Sequence, residues 1–288
     1  VLTGLLIGMN VPAGIPVFIP AIASIFAIGV VKWTFGGLGS NWMNPALAGR
    51  VFVFFSWTGE MTTWPVPRFY TIDGTTMPTV LGAAKTGAGQ VAGSGPRQVL
   101  ESVGFPRSDM DLAISGWLNE NVLESLGIRM PSGYIDSFLG FIPGCIGEVS
   151  AVLLLAGAIV LFAHRIITWH TPVALFVTFG LLMFTFGGVP YEAGLFAGDV
   201  LFHVLSGGFM LGMLYMSTDM VSSPLTGRGL LIYGAGIGFF TFLIRVFGSF
   251  PEGISLAVIL MNIMVPIINQ ATRPRRYGMP SRRQRNAD

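Results

Sequence analysis

The sequence predicts an all-α membrane protein, a polytopic helix bundle in which several helices are broken. Three observations predict it. Of 288 residues, 52% are hydrophobic and 10% charged, against roughly a quarter charged in a soluble domain, and the mean hydropathy is +0.69. Six apolar stretches approach the length of about 20 residues that a bilayer crossing needs. Finally, 39 Gly and 18 Pro run through those stretches, as membrane helices tolerate where neighbours approach closely or where the helix is interrupted. Interrupted helices often mark sites.

In chain order, Val1 to Met9 is the first apolar piece, short enough to be a half-helix, and Ile15 to Val31 is the first full stretch. Pro45 to Trp57 is a second half-helix. Val1 already lies inside an apolar run, so the natural start is expected to precede it. Thr58 to Phe138 carries much of the remaining charge and many Thr- and Gly-rich turns, and reads as an extramembranous region. Within it, the leucines and isoleucine of Ser108 to Leu126 recur at helical spacing. The remaining stretches are Ile146 to Ala163, Val173 to Val189, Gly194 to Met216, Leu230 to Val246 and Ile254 to Ile268. The predicted organisation is therefore an N-terminal membrane half (1–57), an outer loop region (58–138), a C-terminal membrane half (139–270) and a basic tail (271–288).

Sidedness follows from the basic residues. Six of the sixteen lie between Arg273 and Arg285, and Lys and Arg concentrate on the cytoplasmic side of short loops, so the C-terminus is expected inside. Counting back puts Gly248 to Gly253 outside, Thr218 to Gly229 inside, Pro190 to Ala193 outside, and the turn with His164, Arg165 and His170 inside. Thr58 to Phe138 then falls outside a bacterial or archaeal cytoplasmic membrane; its five basic residues lie in a loop too long for the charge rule to bind. A weak echo relates Pro12 to Phe35 with Pro224 to Phe247. It reads either as an inverted repeat, with function near the repeat interface, or as chance likeness of two Gly-rich apolar stretches.

The net charge of +2 gives no reason to expect a nucleic-acid partner. The single Cys145 excludes an internal disulfide and an iron–sulfur cluster held by this chain alone, which needs about four ligands. His164, His170 and His203 are too scattered for a metal or haem site and read as packing or interfacial residues.

Several residues are candidates for chemistry. The run from Phe35 to Arg50 contains three glycines at 36, 37 and 39, then Asn41, Asn44 and Pro45, with Asn44 placed to cap a half-helix whose free N–H groups suit an anion or carbonyl. A tight interhelical turn is the competing reading. Asp219 sits at a membrane boundary between Thr218 and Ser222-Ser223-Pro224, where a charged group tends to be functional or else forms an Asx cap. Glu148 and Glu252 each lie near a helix start, where negative charge is favoured; either lines an ion or electron path or serves that electrostatic role. Asp73-Gly74-Thr75-Thr76-Met77-Pro78-Thr79 reads, on composition, as an Asp-Gly turn.

Taken together, Gly36-Gly-Leu-Gly-Ser-Asn41 with Asn44-Pro45-Ala and Gly49-Arg50, Gly147-Glu148-Val-Ser150, Ser206-Gly-Gly-Phe-Met-Leu-Gly, Thr218-Asp219-Met-Val-Ser-Ser-Pro224, and Phe250-Pro251-Glu252-Gly253 with Leu260-Met-Asn262 resemble one family. It is that of the membrane flavoprotein of Rnf-type ferredoxin:NAD oxidoreductases, their D subunit, and of its homologue, the B subunit of the Na⁺-pumping NADH:quinone oxidoreductase. The wording around Asp219 is closer to the Rnf branch. The resemblance covers nearly the whole chain and implies a fold like that of urea channels. It implies FMN joined by a phosphoester to the final threonine of a motif Asp-Gly/Ala-x-Ser/Thr-Gly-Ala-Thr. That registers Asp73, Gly74 and Thr76 as flavin-site residues and makes Thr79 the acceptor, with Asn41, Asn44 and Arg50 as further binding candidates. The sequence departs from the motif at Met77-Pro78; Pro78 fixes its own φ and biases Met77 toward an extended conformation. The implied partners are a flavin transferase, the other membrane, flavin and iron–sulfur subunits of the complex, and the lipid bilayer. A second flavin, riboflavin, is a further cofactor the resemblance brings into view. Electrons would reduce the FMN and pass on within the complex, while Na⁺ or H⁺ crosses the membrane, with Glu148, Asp219 and Glu252 as ion-path candidates. Two readings from other classes compete: a flavin-free channel for a small polar solute, and a scaffold subunit.

Overall fold

The computed structural model describes residues 1–274 apart from 38, 68–69, 71–73, 90, 92, 128–129 and 251. Helix α1 (Leu2–Met9) is the expected half-helix. It ends at Asn10, whose Nδ2 turns back to the Leu6 carbonyl at 2.7 Å. A helix end buried in a bundle must satisfy its last carbonyls, and here a distant strap does so. Gly147 N donates to Met9 O at 2.8 Å, Ile146 N donates to Val11 O at 3.2 Å, and Pro12 bridges Cys145. A Cβ on Gly147 would lie 2.5 Å from Met9 Cβ, so only glycine lets the strap approach.

Helix α2 (Phe18–Phe26) runs on as a π-helical segment, Ala27–Trp33. Helix α3 (Pro45–Ser56) starts as expected: Asn44 Oδ1 accepts from Ala46 N and Leu47 N at 3.0 and 3.2 Å, and Pro45 takes the first helical position, where its missing N–H costs nothing. Gly49 packs α3 onto α2 so closely that a Cβ would come within 2.6 Å of Ala23 O.

The segment between the two membrane halves begins with the short helix α4 (Thr58–Met61) and a two-stranded antiparallel ribbon, β1 (Trp64–Pro65) with β2 (Thr76–Met77), pairing Trp64 with Met77. Helices α5 (Val80–Gly87), α6 (Pro96–Ser102) and α7 (Asp109–Leu118) follow. Ser108 caps α7 through Asp111 N at 3.1 Å, and the helix is prolonged to Leu126 by a π and a 3₁₀ turn, matching the expected amphipathic segment. Helix α8 (Tyr134–Leu139) is locked to α7 by two carboxylates. Asp111 accepts from Gly133 N, Ile135 N and Asp136 N at 2.6, 3.0 and 3.3 Å, and Asp136 accepts from Ser108 N at 2.9 Å and from its hydroxyl. Burial pushes the Asp136 carboxyl above its ordinary range, opposed by the bonds from Ser108, because burial disfavours the charged form.

The C-terminal half holds α9 (Ala151–Ala163), α10 (His170–Phe186), α11 (Val200–Leu205), α12 (Phe209–Leu211) with its π extension Gly212–Met216, α13 (Gly227–Phe247) and α14 (Ile254–Thr272). Two expectations are corrected. The stretch from Ile146 is helical only from Ala151, because residues 145–147 are used to close α1. The apolar run Gly194 to Met216 is not one helix: Gly207 and Gly208 both have φ +66, a left-handed conformation that a helix cannot pass through, so the run splits into α11 and α12. His170–Tyr191, Gly227–Phe247 and Ile254–Thr272 are long and apolar enough to cross a membrane.

The main core lies between α10, α13 and the broken pair α11–α12, around Leu175, Phe179, Met183, Phe209, Tyr233 and Ile237. Gly234 and Gly238 bring α13 against the α10 backbone, where a Cβ would fall 2.5 Å from Thr171 O and 2.7 Å from Leu175 O. Small residues at a membrane-helix contact allow this close packing. Leu153, Ile159 and Leu181 point outward, fully apolar and exposed, as suits a lipid-facing surface.

Candidate functional site

A cavity of about 240 Å³ opens between α3, the β-ribbon, the start of α5 and the start of α14, with Arg50, Phe54, Trp64, Thr79, Phe250 and Glu252 on its wall. Thr79 is placed there by its local sequence. Met77 pairs with Trp64 in the ribbon, in the extended conformation that a following proline favours, and Thr79 itself is extended, with φ −65 and ψ 158. Its Oγ1 accepts from Gly82 N at 3.1 Å and caps α5. The positive end of that helix is therefore presented where Thr79 lines the cavity, and the hydroxyl residue itself is 6% exposed.

Arg50 is the charged wall of the same cavity. It projects from α3 into a buried cluster: Nη2 lies 2.7 Å from Glu252 Oε2 and 4.0 Å from Glu148 Oε2, Nη1 donates to the Ser255 hydroxyl, and Nη2 faces Cys145 Sγ at 3.7 Å. Glu148 comes from the strap that closes α1, where its Oε1 accepts from Cys145 N at 3.0 Å. Its Oε2 is buried without a hydrogen-bond partner among the described residues. Gly208, in the break between α11 and α12, must lack a Cβ because one would collide with that oxygen. A second void of about 10 Å³ joins Thr79, Glu148, Gly207 and Glu252; it is the size of a single water. Both broken elements of the bundle thus converge on one buried charge cluster beside Thr79.

The structure brings together Thr79, Arg50, Glu148 and Glu252 and places the other candidates elsewhere. Thr76 lies in β2 and Gly74 just before it, both exposed, while Asp73 lies outside the described residues. Asn44 caps α3 and donates from Nδ2 to Met216 O at 3.1 Å. In the amide orientation that satisfies both its polar ends, Asn262 accepts from Asn44 N at 2.9 Å and donates to Ser222 O at 3.2 Å. Asn41 donates to Met43 O at 3.1 Å. Asn44 and Asn262 tie the start of α3 to the far half of the bundle, Asn41 bonds within its own loop, and none of the three lines the cavity. Asp219 accepts from the Ser222 hydroxyl at 2.8 Å and Val221 N at 3.4 Å, which is the Asx-type turn.

Three participants went unmarked in the sequence. Ser255 and Cys145 touch Arg50, and neither carries a motif signal. Lys85 on α5 donates to the carbonyls of Arg245, Gly248 and Phe250 at the end of α13, and burial lowers its ammonium below the usual lysine range. A lysine within the small apolar run Val80 to Ala88 was the available signal. Its bonds pin α5, and so Thr79, to the bundle.

Comparison with known proteins identifies relatives over nearly the whole chain. The chain is 36% identical over 277 residues to the D subunit of the proton-translocating ferredoxin:NAD(+) oxidoreductase complex of Clostridium ljungdahlii, covering 96% of this chain and 73% of that one. It is 36% identical over 282 residues to the D subunit of the Na(+)-translocating ferredoxin:NAD(+) oxidoreductase complex of Acetobacterium woodii, covering 97% and 72%. It is 35% identical over 282 residues to the D subunit of the ion-translocating oxidoreductase complex of Stutzerimonas stutzeri, covering 98% and 76%. The model of the NQR2, RnfD, RnfE family matches residues 1–278, and the chain belongs to that family.

Proposed function

We propose that this chain is a membrane subunit of an ion-translocating ferredoxin:NAD oxidoreductase complex, inactive alone, that carries FMN on Thr79. The names of its relatives support the complex. The observation that carries the flavin is that Thr79 Oγ1 stands at a helix N-terminus on the wall of a cavity lined by Trp64, Phe54, Phe250 and Arg50. The residues fit the group. A phosphoester at Thr79 would meet the positive end of α5, with the Arg50 guanidinium on the same wall, and the aromatic side chains offer flat apolar faces to a planar ring. When bound, FMN supplies one- and two-electron exchange that side chains cannot. The chain's own part is to shield the ring from water and to fix the charges around it.

Those charges suggest how ion movement is coupled. Arg50 holds two carboxylates in one buried cluster, and a change of charge in the adjoining cavity alters the balance between them most strongly where the dielectric is low. Glu148 and Glu252 are the proposed groups for that response, while Asp219, bound in its turn, is the less favoured candidate. The transported ion is left open between Na⁺ and H⁺, since relatives named for each are equally similar. The proposed orientation in the cytoplasmic membrane has the C-terminus in the cytoplasm and the Thr79 loop outside, where an exported flavin transferase reaches it. Transfer to a hydroxyl so buried requires the ribbon or α5 to open first.

The test is in-gel flavin fluorescence of the denatured chain, produced in a host with its flavin transferase. Wild type should fluoresce, and both Thr79→Ala and Thr79→Asn should be dark. Asparagine keeps the helix cap, so a dark but stable Thr79→Asn separates lost attachment from lost folding. A dark wild type beside a fluorescent related flavoprotein overturns the flavin assignment and leaves a scaffold role. For the carboxylates, ion uptake per electron that is unchanged in both Glu148→Gln and Glu252→Gln overturns their role.

A further inference from the structure

We propose that the cavity between α5 and the ends of α10 and α13 is a phosphate-binding site, with Arg245 and His203 as its donors. This void of about 200 Å³ is lined by Leu81, Lys85, Tyr191, His203 and Arg245 among others and shares no lining residue with the cavity at Thr79. Arg245 and His203 are 5% and 6% exposed. Arg245 Nε and both ring nitrogens of His203 are buried with no hydrogen-bond partner among the described residues. Buried polar atoms are normally paired, and these orphaned atoms belong to two residues that line one cavity, so a partner held there would meet them after a small side-chain turn.

The chemistry of that partner follows from the charges. Arg245 spends its Nη atoms on the carbonyls of His203, Ser206 and Gly207, stapling the break between α11 and α12. Lys85 spends its ammonium on the carbonyls that end α13. These bonds explain the two side chains structurally, yet they neutralise neither. Among the described residues no carboxylate lies within ion-pairing distance of Arg245 or Lys85. Arg245 is buried and Lys85 half-buried; the Glu252 and Glu148 carboxylates act on Arg245 only from beyond ion-pairing distance, so an anion in the cavity would lie closer to both cations and lower the cost of burying them. The Nε–H of Arg245, a ring N–H of His203 and the hydroxyl of the buried Tyr191 come from three separate elements, as suits the several acceptor oxygens of a phosphate rather than a single carbonyl.

Phosphate reaches such a site either as a lipid headgroup or as the free ion. Beside the cavity, Phe186, Phe242 and Phe247 form a run of rings with successive centroids 6.1 Å apart, and Phe186 and Phe247 are exposed in this chain. An acyl chain would lie along that face with its headgroup at Arg245.

The test uses the purified complex containing this chain, stripped of lipid in detergent. Phosphatidylglycerol, phosphatidylcholine or inorganic phosphate is added back, and retention is read by native mass spectrometry on the released chain. Wild type should retain about one phosphatidylglycerol in preference to phosphatidylcholine. Displacement of that lipid by millimolar inorganic phosphate, or retention of phosphate alone, would identify the free ion as the occupant. His203→Leu keeps the backbone carbonyl that Arg245 uses, so the staple survives, and it should weaken retention roughly tenfold, the loss of one hydrogen bond to a charged group. Arg245→Gln should abolish retention. Wild type that holds neither phosphatidylglycerol nor phosphate, or His203→Leu that holds either as tightly as wild type, overturns the proposal.

Discussion

Replacing Arg50 by Met tests the charge cluster at its centre. The substitution keeps an unbranched apolar stem while removing the bond to Glu252 at 2.7 Å, the bond to Ser255 and the charge 4.0 Å from Glu148. A unit charge pair 4 Å apart is worth about 4 kcal/mol at an effective dielectric near 20, and deleting one partner of a buried pair costs about 3–5 kcal/mol because the other stays buried and uncompensated. Cys145 gives a direct assay. It is the one cysteine of this sequence, wholly buried, and in contact with Arg50. A thiol reagent reaches it only when the cluster opens, and labelling then tracks the open population if closing is fast. At about 1.4 kcal/mol per decade, Arg50→Met should label Cys145 roughly 10²- to 10³-fold faster than wild type, read on this chain's band in the purified complex. Arg50→Lys, which keeps the charge but not the two-armed geometry, should fall between. Labelling of Arg50→Met within threefold of wild type would mean that the cluster contributes less than about 0.7 kcal/mol, and the account of Arg50 as its organiser would be wrong.

Gly207→Ala forces a side chain into a left-handed residue whose Cβ would strike a Leu81 methyl and lie 3.2 Å from Arg245 Nη2. Strain and overpacking together should cost about 2–4 kcal/mol, seen as a Tm lower by several degrees. Gly37→Ala, also at positive φ but with nothing within 4 Å, should lose only the strain, about 1–2 kcal/mol; equal losses at the two positions would refute the packing account of the break. Asp111→Ala leaves the backbone N–H groups of Gly133, Ile135 and Asp136 without their acceptor. The cost should be about 3 kcal/mol locally, measured as a loss of roughly a hundredfold in hydrogen-exchange protection at those amides, and unchanged protection would show that the lock between α7 and α8 lies elsewhere.

What could be read in the sequence and what could not divides along a physical line. Elements set by neighbours in the chain were legible. Asn44 followed by Pro45 specifies a capped helix start, the apolar spacing after Ser108 specifies a second helix, and both form where expected. Met77 before Pro78 was expected to be extended, and it pairs in β2. Elements set by distant partners were not. Nothing local says that residues 145–147 must serve the last carbonyls of α1, and so the apolar run from Ile146 reads as helix until that partner is known. Hydropathy likewise makes one span of Gly194 to Met216, whereas the conformation of Gly207 and Gly208 is decided by what must pass them: the Glu148 carboxylate on one side and Leu81 with Arg245 on the other. The same division holds at the site. Glu148 and Glu252 stood out near helix starts and Arg50 entered through the family resemblance, but their meeting is a property of the packed bundle, since they are supplied by α3, by the strap and by the approach to α14. Each of the two helix interruptions that blurred the reading is what admits a charged group to the interior. Position 147 is open for the strap that carries Glu148, and position 208 is open for the oxygen at its tip, so the features least visible to hydropathy are those that build the cluster beside Thr79.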